Sequence, residues 1–225
     1  MNSKGFTLLE ILTAIFVFSI ITVTVFSSFS AVLSSSNAIA EKSRYYETAR
    51  ACFQIITQDL SSIYLKQYPL YHPPDIDDTP DLHRLKGESE SIGDGDFDRL
   101  MFASSNHISF VGNPRKGIAR IVYYVHADDN DTLVLRRSDH LYPYPEFEES
   151  AEDPVLCRNI LGLEFSFFDD AGEMHETWDS ESEDLGFASP KVIGIKITIG
   201  NKENPLTFET KILLPVSRIK KETHV

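Results

Sequence analysis

Polar and apolar positions fall into three patterns along the chain, and each predicts a different element. Residues 11–40 contain no Asp, Glu, Lys or Arg, only Ile, Val, Phe, Leu, Thr, Ser and Ala with one Asn. About 20 such residues at ~1.5 Å rise cross the hydrocarbon core of a bilayer, so residues 6–33 predict a transmembrane helix. Residues 41–65 keep the helical period but become two-faced. Ala49, Cys52, Phe53, Ile56, Leu60 and Ile63 recur at helical spacing, with Glu47, Arg50, Gln54, Gln58 and Asp59 between them. That gives one packed face and one wet face. With no proline before Pro69, a single helix is predicted over residues 6–64, and residues 34–66 are its soluble spine. Ser34, Ser35, Ser36 and Asn37 mark the place where a bend is expected.

The third pattern has a period of two. Ile121, Tyr123 and Val125 alternate with Val122, Tyr124 and His126, and Leu133 and Leu135 resume the alternation after Asp128-Asp129-Asn130-Asp131, a hairpin signal. Leu161, Leu163, Phe165 and Phe167 form another such run, followed by Ile193, Ile195, Ile197 and Ile199, then by Leu206, Phe208, Thr210, Ile212 and Leu214. Residues 99–103 and 108–112 predict further strands. Period-two runs describe antiparallel sheet with one packed face, and the spine is the surface available to cover it. The predicted class is α+β: a long N-terminal hydrophobic helix packed against antiparallel β-sheets over residues 99–225. Residues 67–98, acidic and carrying Pro73, Pro74, Gly87, Gly93 and Gly95, predict a flexible loop with no core of its own. Residues 142–154 have the same character.

The head of the apolar run carries the sharpest signal. Lys4-Gly5-Phe6-Thr7-Leu8-Leu9-Glu10 leads directly into it. An ionised carboxylate inside hydrocarbon costs about 2.5–3.5 kcal/mol on insertion scales. No counter-charge lies within the segment, so the partner of Glu10 is expected from another subunit. A secretory signal peptide would have an apolar region of only ~7–15 residues before a small-residue site such as Ala38-Ile39-Ala40, and this run is far longer. A plain single-span anchor explains the hydrophobicity but neither Gly5 nor Glu10.

This head resembles the class III signal of type IV prepilins and type II secretion pseudopilins. The resemblance implies that residues 1–5 are a leader, that a prepilin peptidase cuts between Gly5 and Phe6, and that the new terminus at Phe6 is N-methylated. It also implies that Glu10, the fifth mature residue, neutralises a neighbour's amino terminus during assembly. Weaker blocks are similar to the J-type minor pseudopilins. They are residues 51–60, Val122-Tyr123-Tyr124-Val125 with Leu135-Arg136-Arg137, residues 163–169 leading to Trp178, and Pro190-Lys191-Val192. The family implies a pilin-like fold and a structural subunit of the pseudopilus tip, supporting export of folded proteins across the outer membrane. Its partners would be other minor pseudopilins, the major pseudopilin, the prepilin peptidase and the bacterial inner membrane, with the C-terminal domain in the periplasm. The alternatives are a minor pilin of a type IV pilus and a membrane-anchored periplasmic binding domain that never polymerises.

Composition narrows the remaining chemistry. A net charge of −13 argues against a nucleic-acid surface and against attraction to anionic lipid. The two cysteines, Cys52 and Cys157, are no disulfide scaffold; they would pair in an oxidising periplasm only if the fold brought them together, and otherwise serve as small buried apolar residues. The seven histidines include no i,i+4 pair on a helix, and no H-E-x-x-H, G-x-S-x-G, phosphate loop or GxGxxG occurs. No cofactor and no catalytic residue is expected. Asp94, Asp96 and Asp98, and Asp128, Asp129 and Asp131, offer alternate carboxylates that structural calcium can use, while solvated turns need the same residues for backbone reasons. The only tryptophan, Trp178, is either an anchor for a partner or the cover of a hairpin.

Overall fold

A computed structural model describes residues 7–74, 79–93, 95–108, 116–128 and 130–219, the side chains of residues 37 and 38 apart. One helix, α1 (Leu8–Ser61), precedes ten strands. These are β1 (Lys86–Ile92), β2 (Gly95–Ser104), β3 (Ala119–Ala127), β4 (Leu133–Leu141), β5 (Val155–Arg158), β6 (Ile160–Phe168), β7 (Met174–His175), β8 (Trp178–Asp179), β9 (Val192–Asn201) and β10 (Asn204–Leu213). The strands form two antiparallel sheets, ordered β5-β4-β3-β2-β1-β8 and β10-β9-β6-β7. The α+β layout of a long apolar helix followed by antiparallel sheet is the one the sequence predicts. The chain divides into two units, Met1–Tyr46 and Glu47–Val225.

The helix ends earlier than the periodicity suggests. Its last turn tightens, with Ser62 N donating to Asp59 O (3.1 Å) and Ile63 N to Leu60 O (3.3 Å). The next amide, Tyr64 N, donates to Ala103 O of β2 (2.8 Å), and Ile63 bridges Ser104. The sheet thus takes the backbone groups that a longer helix would have used.

Cross-strand register fixes which residues share a face. Leu100, Tyr123 and Arg137 form one row across β2, β3 and β4, and Val125, Leu135 and Cys157 form another across β3, β4 and β5. Ala49, Cys52, Ile56, Leu60 and Ile63 are all buried, the helical stripe read from sequence. Leu163, Phe165 and Phe167 of β6 and Ile193, Ile195, Ile197 and Ile199 of β9 are buried too, as period-two alternation requires.

Residues 67–98 are not one loop. Lys86–Ile92 and Gly95–Ser104 are paired strands, and Tyr71 and Leu85 are buried. The pattern hid β1 because cross-strand ion pairs, not apolar contacts, line its pairing with β2. Arg99 Nη2 lies 2.8 Å from Glu88 Oε1, and Arg99 Nη1 lies 3.1 Å from Glu90 Oε2. Gly87 has a separate reason: a Cβ there would sit 2.0 Å from Cζ of Phe167. Residues 142–154 stay irregular but are anchored against the first sheet. Tyr124 Oη donates to Ser150 O (3.1 Å) and Asp153 Oδ2 (2.8 Å), and Arg136 Nη1 donates to Ala151 O (2.9 Å). The strand expected at 108–112 falls, past Ile108, outside the described residues.

Candidate assembly interface

Between Leu8 and Leu33 every large apolar side chain of α1 is exposed, with Leu8 at 84%, Phe18 at 70% and Phe26 at 71%. No stripe is spared, so this stretch has no polar face to turn toward water. Five of its hydroxyls are satisfied within the helix. Thr13, Ser19, Thr22, Thr24 and Ser28 each donate to a carbonyl three or four residues back, at 2.8–3.0 Å. A segment that satisfies its own polar groups is what hydrocarbon or a bundle of like helices demands. By length and composition it can cross a membrane.

Glu10 lies in the first turn, where its carboxylate has uncharged donors close by. Thr7 N and Thr7 Oγ1 both donate to Glu10 Oε2, at 3.1 and 3.0 Å, while Glu10 N donates to Thr7 Oγ1 at 3.2 Å. This is a capping box, which satisfies otherwise orphaned amides at the helix start. T-x-x-E ahead of an apolar run is the sequence signal for these uncharged donors. Both donors use Oε2. Gly5 and Phe6 lie outside the described residues.

The lower end of α1 is held by a buried charge cluster that sequence reasoning did not single out. The Asp59 carboxylate, fully buried, accepts from Arg137 Nε (2.7 Å), Arg137 Nη2 (3.2 Å), Asn106 Nδ2 (2.6 Å) and Tyr123 Oη. Arg137 Nη1 also donates to Asp139 Oδ2 at 2.6 Å. Asp139 Oδ1 lies 2.6 Å from His107 Nδ1. Burial alone would lower the affinity of the Arg137 guanidinium for its proton, but its hydrogen bonds and attraction to Asp59 and Asp139 outweigh this and raise it. Every charge in the group is opposed and bonded, which is the signature of an anchor and not of a reactive site. Asp59 sits among the wet positions of the spine in the sequence pattern, so periodicity could not find it.

A second cluster secures the chain end. Arg218, 2% exposed, donates to Phe187 O (2.6 Å), Ser180 O (2.5 Å) and Glu181 Oε1 (2.8 Å), and its guanidinium lies 3.4 Å from the centre of the Tyr71 ring.

Three of the calcium candidates, Asp96, Asp98 and Asp128, hold strand and turn hydrogen bonds. Asp96 and Asp98 lie in β2; Asp96 accepts from Ser91 Oγ, and Asp98 Oδ2 accepts from Phe165 N at 2.6 Å. Asp128 closes the β3–β4 turn by accepting from Asn130 N and Thr132 N, both at 3.0 Å, and Asp131 adopts a left-handed φ of 54°. These are turn and strand roles. Asp94 and Asp129 lie outside the described residues. A different trio, Asp169, Glu173 and His175, places its ligand atoms within 4.8 Å of one another. Asp169 Oδ1 there accepts from Glu173 N at 2.8 Å, as an ordinary turn requires. Trp178 is no surface anchor: it is 2% exposed, donates Nε1–H to Ala188 O at 3.1 Å and packs on Phe167. Cys52 and Cys157 are both buried thiols.

The family model described as "Type II secretion system (T2SS), protein J" matches residues 27–207. The model described as "Prokaryotic N-terminal methylation motif" matches residues 1–26. Among curated proteins, none matches the chain.

Proposed function

The chain belongs to the type II secretion system protein J family, and from that membership we propose how this minor pseudopilin works. Processing between Gly5 and Phe6, with methylation of Phe6, leaves a cationic amine at the head of the helix. The helix waits in the inner membrane with residues 47–225 in the periplasm, and on assembly it exchanges lipid for the apolar helices of other pseudopilins. Glu10 then meets a neighbour's terminal amine through Oε1, the oxygen its Thr7 donors leave unused. In a low-dielectric bundle such a pair is strong only when both charges are bonded. The subunit takes its place in the tip complex with other minor pseudopilins, supported by the major pseudopilin, and its role is structural, not catalytic.

The observation that carries this reading is a helix apolar on every side from Leu8 to Leu33 and headed by one carboxylate. Two measurements test it. Mass spectrometry of the mature protein should find N-methyl-Phe6 at the terminus, and a protein that retains Met1 refutes processing. Glu10→Ala should abolish secretion while leaving membrane insertion intact, and unchanged secretion refutes the assembly role.

A further inference from the structure

Cys52 and Cys157 stand 105 residues apart in sequence, yet the fold places them on surfaces that face each other. Asp59 bonds directly to Arg137 of β4, so the packed face of α1 and the Arg137 face of the first sheet meet there. Leu135 is two residues before Arg137 and therefore shares its face. Cys157 of β5 is the cross-strand partner of Leu135, so its side chain points to that face as well. Its neighbour Arg158 points the other way, 62% exposed and paired with Asp128.

The distances along the two layers agree. Cys52 precedes Asp59 by two helical turns, about 10 Å, on the same stripe as Ile56. Leu135 and Cys157 lie about 7 Å back along the sheet from Arg137. The helix ends beside Ser104, which pairs with Ala119, and Ala119 pairs with Leu141 at the end of β4. The helix and β4 therefore run in the same direction, and stepping back along each leads to the same place. Both cysteines are 1% exposed. Burial pushes the Cys157 thiol up to about 11. It pushes Cys52 up further, with the neighbouring Cys157 adding to the effect.

We propose that Cys52 and Cys157 form an intramolecular disulfide that ties the spine helix to edge strand β5. Two thiols become one S–S bond, releasing two protons and two electrons. The electrons pass to the disulfide of a thiol oxidoreductase, which is reduced to a dithiol. For that oxidant alone the proposal rests on the periplasmic placement above. Both thiols are protonated and enclosed once the layers have closed, so the bond forms while the domain folds and is shielded afterwards. It gives the helix a covalent hold on the sheet two turns above the Asp59 cluster.

The test uses the full chain in detergent. Reduced, unfolded protein is refolded with a couple of reduced and oxidised glutathione, then denatured and treated with a maleimide. The expected product is a monomer lighter by two hydrogens with no alkylated cysteine, while Cys52→Ser and Cys157→Ser each keep one alkylated cysteine. Two alkylated cysteines in the unmutated refolded chain overturn the proposal. Should the chain resist refolding, reduced protein in membranes is opened in urea near its unfolding midpoint, treated with diamide, a small thiol oxidant, and returned to buffer. An internal bridge supports the proposal, and two cysteines that are still alkylated after full denaturation overturn it. Acid-trapped cells separate the two readings: a bridge formed in vitro but missing in cells leaves the pairing standing and refutes the periplasmic placement.

Discussion

Replacing Asp59 by Ala should be among the most damaging single changes in the second unit. Asp59 and Arg137 are 0% and 1% exposed at their side chains, and the carboxylate serves four donor groups. Removing it leaves the guanidinium with Asp139 and the Asn106 carbonyl and strands Tyr123 Oη and Asn106 Nδ2. Breaking one partner of a buried pair costs about 3–5 kcal/mol. In a domain of this size each kcal/mol lowers Tm by about 2–4 °C, so a fall of roughly 6–20 °C is expected. The assay is thermal unfolding of the detergent-solubilised chain, followed by the fluorescence of Trp178, which is buried against Phe167. The double variant Asp59→Leu/Arg137→Met removes the pair but leaves Asp139 without its guanidinium partner. It should therefore recover part of the loss, because apolar groups of similar volume can replace a buried pair. A loss below about 1 kcal/mol for Asp59→Ala, or additive losses in the double variant, would refute the argument that the buried charge sets the cost.

Gly87→Ala should destabilise by about 1–3 kcal/mol through overpacking against the Phe167 ring; the same unfolding assay checks it, and no change would mean that the ring moves freely. Thr7→Val removes the side-chain half of the capping box at a cost of about 0.5–2 kcal/mol, so hydrogen exchange of the Glu10 amide should speed up while amides past Thr13 stay unchanged. Asp81 gives a pH prediction. Burial would raise its carboxyl, but hydrogen bonds from His83 and Lys66 outweigh burial and hold it well below the usual range. Its stabilising contribution is thus present above the unfolded value of about 3.9 and is lost as pH falls toward the folded value. Asp81→Asn should flatten the dependence of the urea midpoint on pH below about 4, and an unchanged slope would count against the bonds to His83 and Lys66.

How much of this was readable in advance depended on what each element buries. The Ile193, Ile195, Ile197, Ile199 run announced β9 because its packed face is aliphatic. The stripe from Ala49 to Ile63 announced the spine for the same reason. β1 was invisible because Lys86, Glu88 and Glu90 pair with their own side of the sheet and with Arg99, and charge in a Gly-bearing stretch reads as loop. Asp59 was misread because an acidic residue on an amphipathic helix is normally wet; only Arg137, far along the chain, reverses that. At the helix head, Gly5, Phe6 and Glu10 were legible as a motif, and Thr7 became visible as Glu10's partner only once the first turn was built.

The placement of the Asp59 cluster bears on what a fibre subunit must withstand. A force along α1 acts parallel to the interface between its stripe and the sheet. Apolar contacts are non-directional, so with the Cys52 thiol reduced a slip of one turn, about 5.4 Å, would cover Ala49, Cys52, Ile56 and Leu60 almost as well. Only directional contacts such as Tyr64 N to Ala103 O and the charge pair oppose it. The same slip would separate Asp59 from Arg137, whose bonds tolerate only a few tenths of an ångström, and would leave two charges buried and unpaired. The pair therefore acts as a register pin even if it adds little net stability, a role best attested for buried polar groups in coiled helices. The prediction separates stability from register. With its cysteines reduced, Asp59→Leu/Arg137→Met should recover part of the stability lost in Asp59→Ala, yet the methyl resonances of Ile56 and Leu60 should broaden or double as the helix samples neighbouring registers. Single sharp methyl signals in the double variant would show that packing alone fixes the register and would remove the pin.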